Sequence, residues 1–389
     1  MGQPRHVLIN GLSIGSGGGA TVARGLFHGI ARERPDWTVT MSLIKGFSLH
    51  EEFLRDALAP NQRLTWAPPE TRGRLARLRY ERSGLIDWMA QNKADALVML
   101  NGQVIRGCPI PTLAHNQDPW PYRPEAWSGP KDRLMAWIKR REQGRALRQA
   151  AAMGFTSGYQ RDLVCGYHGL RPRRADVYYN GLPQPMIDRA RAGGAGNLAG
   201  RKRQIVSVSN VSAYKRQEMV IRALAALRKR PGMEQAKYRI IGHVEKDYRE
   251  HLNNLARTLG VADAVSVEGR VAQEEMERAM AESACFTLMS VCESFGIPAI
   301  EAMSFGTPAV ISDCCAHPEI GGGAAALVPE DDQVALEQTL ARVMTDGAYA
   351  AELAARGLKR VEAFQWNETA RQMAGTLEAI IEEGAKARR

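Results

Sequence analysis

Short apolar runs alternate with helix-length segments along this chain, and the alternation happens twice. In the first half "HVLIN", "WTVTMSLI", "ADALVML", "PTLAHN", "AAMGFTS" and "ADVYYN" read as strands, and residues 20–34 read as a helix. In the second half "QIVSVSN", "YRIIGH", "AVSVEG", "CFTLMS", "PAVIS" and "AALV" read as strands. They alternate with helical segments at 214–229, 246–259, 273–282 and 297–305, and three further helical stretches close the chain. Alternation of this kind builds βαβ units and parallel sheets. Between the two series, "GLPQPMIDRARAGGAGNLAGRKR" loses periodicity and is rich in Gly, Pro and basic residues. The expected organisation is therefore α/β, with one Rossmann-like domain over 1–185, a linker over 186–203 and a second Rossmann-like domain over 204–364.

No run of about 18 apolar residues occurs, so no transmembrane helix is expected. The first residues lack a signal peptide's apolar core, which makes a cytoplasmic location the expectation. The six cysteines, 108, 165, 285, 292, 314 and 315, form no C-x-x-C pair and read as reduced structural thiols. The net charge is +10, and its distribution is uneven. Residues 1–180 hold 26 Lys and Arg against 15 Asp and Glu, whereas 181–389 hold 26 against 27. A basic half calls for an anionic partner or is a solubilising surface. No nucleic-acid reader motif accompanies it, so nucleic acid is not expected as a partner.

"INGLSIGSGGGAT", residues 9–21, contains G-x-G-x-x-A at Gly15, Gly17 and Ala20. A dinucleotide site needs its first glycine at the end of strand one and an acidic residue at the end of strand two. Here "NGLSI" intervenes before Gly15, and strand two ends in Lys45-Gly46. Both requirements fail, which weakens an NAD-dependent oxidoreductase. What remains is a loop rich in backbone N–H groups before a helix, suited to an anion or a closely approaching sugar.

"SVCESFGIPAIEAMSFGTPAVISD", residues 290–313, carries the most chemistry. Glu293 and Glu301 stand in an E-x7-E spacing. Glu293 falls in the loop after a strand. Pro298 suits the first turn of a helix, and Glu301 lies about one turn in. Ser294-Phe295-Gly296 then offer N–H groups at a helix N-terminus, where a phosphate is stabilised. This stretch resembles the retaining GT-B glycosyltransferases of family 4, whose pattern is E-S-F-G-x-P-x-x-E-A-M-x-x-G-T-P-V. The resemblance continues through "VSVSNVSAYKRQEMVIRAL", "YRIIGHVEKDYREHL", "VEGRVAQEEM", "DCCAHPEIGGGAAALVP" and "FQWNETA". It is looser in the first half, at the glycine stretch, "LAHNQ", "TSGYQRDL" and "YYNGL".

The resemblance implies a GT-B fold, two Rossmann-like parallel-sheet α/β domains facing across a cleft. Residues 365–389 would form a C-terminal helix crossing back to the N-terminal, acceptor-binding domain. It also implies a set of sites. Glu301 would bind ribose hydroxyls. Glu293 would bind donor-sugar hydroxyls, with Ser294 and the amides of Phe295, Gly296 and Ile297 beside them. Lys215 would neutralise the diphosphate, and Gly242, Gly269, Arg270 and Val271 would line the nucleotide end. His115 would meet the sugar at the reacting face, and Gly17, Gly18 and Gly19 would close over the diphosphate. One departure stands out: where the family often has a G-R pair before the Lys, this chain has Ser209-Asn210, and Arg216 would have to compensate.

The function implied is retaining transfer of a hexose-type sugar from a UDP- or GDP-sugar to a glycan or lipid-linked acceptor. Such a reaction serves cell-surface polysaccharide, lipopolysaccharide or glycolipid synthesis. No D-x-D occurs in the sequence, so neither a metal nor another cofactor is expected. A GT-B sugar-nucleotide epimerase is the alternative. "TRGRLARLRYERSGLIDWM" and "KDRLMAWIKRREQGRALRQA" look like basic amphipathic helices. Their Trp88, Trp137 and Ile138 either pack on the domain core or dip into an anionic inner leaflet, and the sequence leaves both open.

Overall fold

The computed structural model describes residues 5–15, 17–47, 49, 53, 57–196, 198, 200–245 and 247–387. Ser16 of the glycine stretch and residues 197 and 199 of the expected linker lie outside these. The chain forms two compact units. The first comprises Met1–Tyr122, Gly129–Gly181 and Gln365–Arg389, and the second Arg123–Ser128 and Leu182–Phe364.

Among the described residues, the first unit is built on seven strands: β1 (His6–Asn10), β2 (Thr38–Ile44), β3 (Gln62–Ala67), β4 (Ala96–Met99), β5 (Thr112–Asn116), β6 (Ala152–Phe155) and β7 (Ala175–Val177). Their order is β3-β2-β1-β4-β5-β6-β7, and every pairing is parallel. Helices cover both faces of such a sheet, so its central strands are near-continuous apolar runs, as Val7-Leu8-Ile9 and Ala96-Leu97-Val98 are here. β3 has no such signature and is absent from the sequence reading. It lies at the edge, mixes polar with apolar residues and leaves Trp66 exposed.

The Gly18–Glu33 helix buries Val22, Ala23, Leu26, Phe27 and Ile30. The C-terminal helix, Trp366–Ala387, packs along it within the same unit. Gly25 makes that approach possible, because a Cβ there would sit 2.3 Å from the Trp366 indole. Arg34 fastens the far end with a bidentate pair to Glu378, Nη1 at 2.8 Å and Nη2 at 3.0 Å.

The second unit carries β8 (Lys202–Val208), β9 (Lys237–Ile241), β10 (Val265–Val267), β11 (Ser283–Leu288), β12 (Ala309–Ser312) and β13 (Ala326–Val328). The order is β10-β9-β8-β11-β12-β13, again parallel throughout. In both sheets the order reverses beside the first strand, between β1 and β4 and between β8 and β11. Loops leaving the carboxyl ends of those strands diverge and open a crevice where ligands bind.

The segment expected as a linker is partly helical. Residues Gln184–Ala192 form a helix with a proline in its first turn, and β8 begins at Lys202. Met186 and Ala190, four residues apart, are its buried positions, and Arg189 pairs bidentately with Glu277. Two small apolar anchors among Gly, Pro and Arg are too sparse to read as periodicity.

Candidate functional site

The switch point of the second sheet brings two loops together. After β8 the chain bends at Ser209-Asn210 and makes a tight turn, Ala213–Lys215, before the Gln217–Leu227 helix. After β11 it runs from Met289 to Gly296 and enters the Ile297–Ser304 helix with Pro298 in the first turn. Lys215 Nζ donates to Glu293 Oε1 across the gap. Both side chains are largely buried, at 9% and 14% exposure. Burial works against the Lys215 ammonium, but the Glu293 carboxylate outweighs it and holds the pKa above the usual lysine value. Val291 N donates to Tyr214 O at 3.0 Å, which stitches the loops, and the ammonium lies 4.9 Å from the Tyr214 ring centre.

Gly296 has φ +94° and caps the helix. Under it lies His317, wholly buried; a Cβ on Gly296 would be 3.1 Å from His317 Cδ2. His317 Nδ1 is bonded to Ser312 Oγ at 2.9 Å and to the Ser312 carbonyl at 3.2 Å. A carbonyl only accepts, so Nδ1 carries the proton. Nε2 is buried without a hydrogen-bond partner among the described residues. Burial lowers the His317 pKa, and the Glu293 carboxylate opposes it only in part. Phe295 anchors the loop from below, edge-on to Phe364 at 5.4 Å.

Glu301 sits one turn into the Ile297–Ser304 helix. Its carboxylate has no hydrogen-bond partner among the described residues. Burial, with a smaller push from the Glu277 carboxylate, raises its pKa to about 7. Two of the residues expected at the nucleotide end meet through backbone: Gly242 N donates to Gly269 O at 3.1 Å. Gly242 is at φ +145°, where a Cβ would lie 1.8 Å from Ser209 O, so only glycine lets these loops meet. Arg270 is exposed and Val271 half-buried beside it. Asn210 is exposed, and its carbonyl accepts from Gln217 Nε2 at 3.0 Å.

Two expectations change. Arg216, expected to reinforce Lys215, turns away: it stands at φ +53° and its guanidinium binds the Glu330 carbonyl at 2.6 Å and the Asp331 carboxylate. His115, expected to meet a sugar, is 1% exposed, because β5 runs one residue beyond it to Asn116 and its ring packs 5.9 Å from Tyr178. Burial drives its pKa down to about 4. Of Gly17, Gly18 and Gly19, Gly17 caps the helix at φ +84° and the other two are its first residues.

Three contributors escaped the sequence reading: Tyr214, His317 and Arg123. Arg123 Nε donates to Val291 O at 3.0 Å and Nη2 to Glu330 Oε1 at 3.1 Å. The only sequence signals were an aromatic residue directly before the lysine and a histidine opening "HPEIG". Among the described residues, no three His, Cys, Asp or Glu converge as a metal would need.

Residues 189–360 match the family model for glycosyl transferases group 1. The matched glycosyl transferases group 1 segment contains β8 to β13 and the whole Lys215–Glu293–Glu301 arrangement. A stretch of 131 residues is 33% identical to the MMP alpha-(1->4)-mannosyltransferase of Mycolicibacterium hassiacum, covering 33% of this chain and 32% of that protein. Over 104 residues it is 31% identical to the O-antigen chain mannosyltransferase B of Escherichia coli, 27% of each chain. The chain thus spans about a third or less of the length of these relatives. Among solved structures, Anabaena Alr3699/HepE in complex with UDP and glucose aligns with a TM-score of 0.74 at 19% identity, over 96% of this chain and 100% of that one. The fold is GT-B: two parallel-sheet α/β domains.

Proposed function

We propose that this chain is a retaining, metal-independent glycosyltransferase of family 4. It would move a hexose from a UDP- or GDP-sugar to a glycan or lipid-linked acceptor in cell-surface polysaccharide or glycolipid synthesis. The observation that carries this reading is the Lys215–Glu293 pair, buried at the switch point of a sheet whose sequence matches glycosyl transferases group 1. The mannosyl transfer named for its relatives and the UDP held by HepE fit the same chemistry.

Cleaving the bond between a sugar and a nucleoside diphosphate builds negative charge on the leaving phosphate. Lys215 and the N-terminal end of the Ile297–Ser304 helix, with its positive dipole, are the fixed positive groups that oppose it. Glu293, oriented by Lys215, accepts hydrogen bonds from donor-sugar hydroxyls. Glu301, otherwise unbonded, accepts the paired ribose hydroxyls, and Gly269 to Val271 border the base. A lipid-linked acceptor is supported by Leu75, Leu134 and Trp137, exposed at 83%, 61% and 55% on helices rich in arginine. Trp88 and Ile138 are half-buried and belong to the packing of the domain instead.

The test is a thermal-shift panel of UDP, GDP, ADP and NAD on the wild type and Glu301→Ala. Stabilisation by one nucleoside diphosphate, lost in the variant, supports the reading and fixes the donor class. Stabilisation by NAD alone overturns it.

A further inference from the structure

The switch point of the first sheet holds an arrangement that the donor chemistry does not use. β1 ends at Asn10 and β4 at Met99, and the loop after β4 carries Gln103 and Arg106. Here a cavity of about 30 Å³ is lined by Glu81, Arg82, Gln103, Arg106, Glu142 and Arg145, among others. By the same measure it holds about two waters, the bulk of one oxyanion and not of a sugar ring.

Arg82, Arg106 and Arg145 come from three different elements: the end of the Arg74–Arg82 helix, the loop after β4 and the Pro130–Gln149 helix. None of the three has a hydrogen-bonded or ion-pair partner among the described residues. One carboxylate of the lining is already engaged: Glu142 accepts from Gln103 Nε2 at 2.5 Å and from Arg74 Nη2 at 3.3 Å. The remaining acid, Glu81, is only 4% exposed and accepts one bond, from Asn10 Nδ2 at 2.9 Å. Its second oxygen has no partner among the described residues.

We infer that Arg82, Arg106 and Arg145 form a binding site for a phosphate group. Three guanidiniums line this cavity against the two carboxylates of Glu81 and Glu142, and a tetrahedral oxyanion satisfies their planar donors in pairs. Burial lowers the Arg145 pKa, Arg106 lowers it further and Glu142 only partly offsets this, which marks a net positive site. Burial raises the Glu81 pKa, against the Asn10 hydrogen bond and the Arg77 and Arg82 charges. The inference rests on the transferase reading for its biological sense: the phosphate is one the acceptor carries, and free inorganic phosphate is the other source of the same chemistry.

The experiment titrates the full-length chain with glycerol 3-phosphate, inorganic phosphate and glycerol, followed by thermal shift, on the wild type, Arg106→Gln and Arg106→Gln/Arg145→Gln. The two phosphates are expected to stabilise the wild type and glycerol is not, with affinity falling at least tenfold in the double variant. Tighter binding of the ester than of inorganic phosphate assigns the acceptor as the source, and equal binding assigns free phosphate. UDP is titrated in parallel. An intact UDP response in both variants shows that they are folded. Absence of a phosphate response in the wild type, or its persistence in the double variant, overturns the site. A wild type that binds phosphate and not UDP sinks the transferase reading and leaves this site standing.

Discussion

Lys215 and Glu293, 78 positions apart in the chain, close a buried ion pair between the loop after β8 and the loop after β11. Neither charge has water enough to stand alone. Lys215→Met therefore leaves a carboxylate uncompensated, and the expected loss of stability is on the order of 3 kcal/mol by urea unfolding. Sugar transfer is expected to fall about 10²–10³-fold. Adding Glu293→Gln restores most of the stability and none of the activity, which separates the pair's structural part from its chemistry.

Glu301 gives a pH dependence of defined sign. Its pKa of about 7 in the folded chain lies above the unfolded value, so the native state holds a proton that the unfolded chain releases. Stability from this group is full below the unfolded value and declines as pH rises through about 7. Glu301→Gln should flatten that decline in melting-temperature scans between pH 5 and pH 8. Nucleotide binding follows the opposite slope. In the proposed role the ionised form accepts both ribose hydroxyls, and affinity measured by calorimetry is expected to rise roughly tenfold from pH 6 to pH 8.

Gly25 faces the Trp366 indole at a distance that no side chain fits. Gly25→Ala should destabilise the first unit by about 1–3 kcal/mol. A differential scan reads this as a drop of about 2–4 °C per kcal/mol.

Transfer should persist in an excess of EDTA at the rate seen with added magnesium. A dependence on the divalent ion, reversed by its return, would contradict the proposed charge stabilisation by Lys215 and the helix amides.

Leu134→Ser with Trp137→Ser removes two exposed apolar side chains and no charge. Flotation with vesicles rich in anionic lipid is expected to fall several-fold at low salt, with UDP binding unchanged. Equal recovery of variant and wild type would return these residues to the ordinary protein surface.

The second domain was the more legible half because its strands are central, apolar and punctuated by turn residues. Gln273–Glu282 and the start of the helix at Ile297 fall where periodicity and Pro298 put them. β3 was missed because an edge strand need not be apolar on both faces. The helix at Gln184–Ala192 was missed because two small buried positions carry it. Within the site, Glu293 and Lys215 were legible as residues at strand ends, whereas their contact joins loops 78 positions apart. Arg216 and His115 show the limit of one-dimensional reading. A charge beside Lys215 points wherever its left-handed backbone sends it, and a histidine one residue short of a strand's end is still inside the sheet.

Both termini belong to the first unit, and the long segment of the second enters at Leu182 and leaves at Phe364, whose backbones share a hydrogen bond of 3.0 Å, Leu182 N to Phe364 O. The second unit is thus written into the gene of the first as a parenthesis with touching brackets. Such a segment can be lifted out, exchanged for another or given new ends without lengthening a connection. Arg123, on the far side of the opening bracket, would have to travel with it, since Val291 and Glu330 depend on its guanidinium.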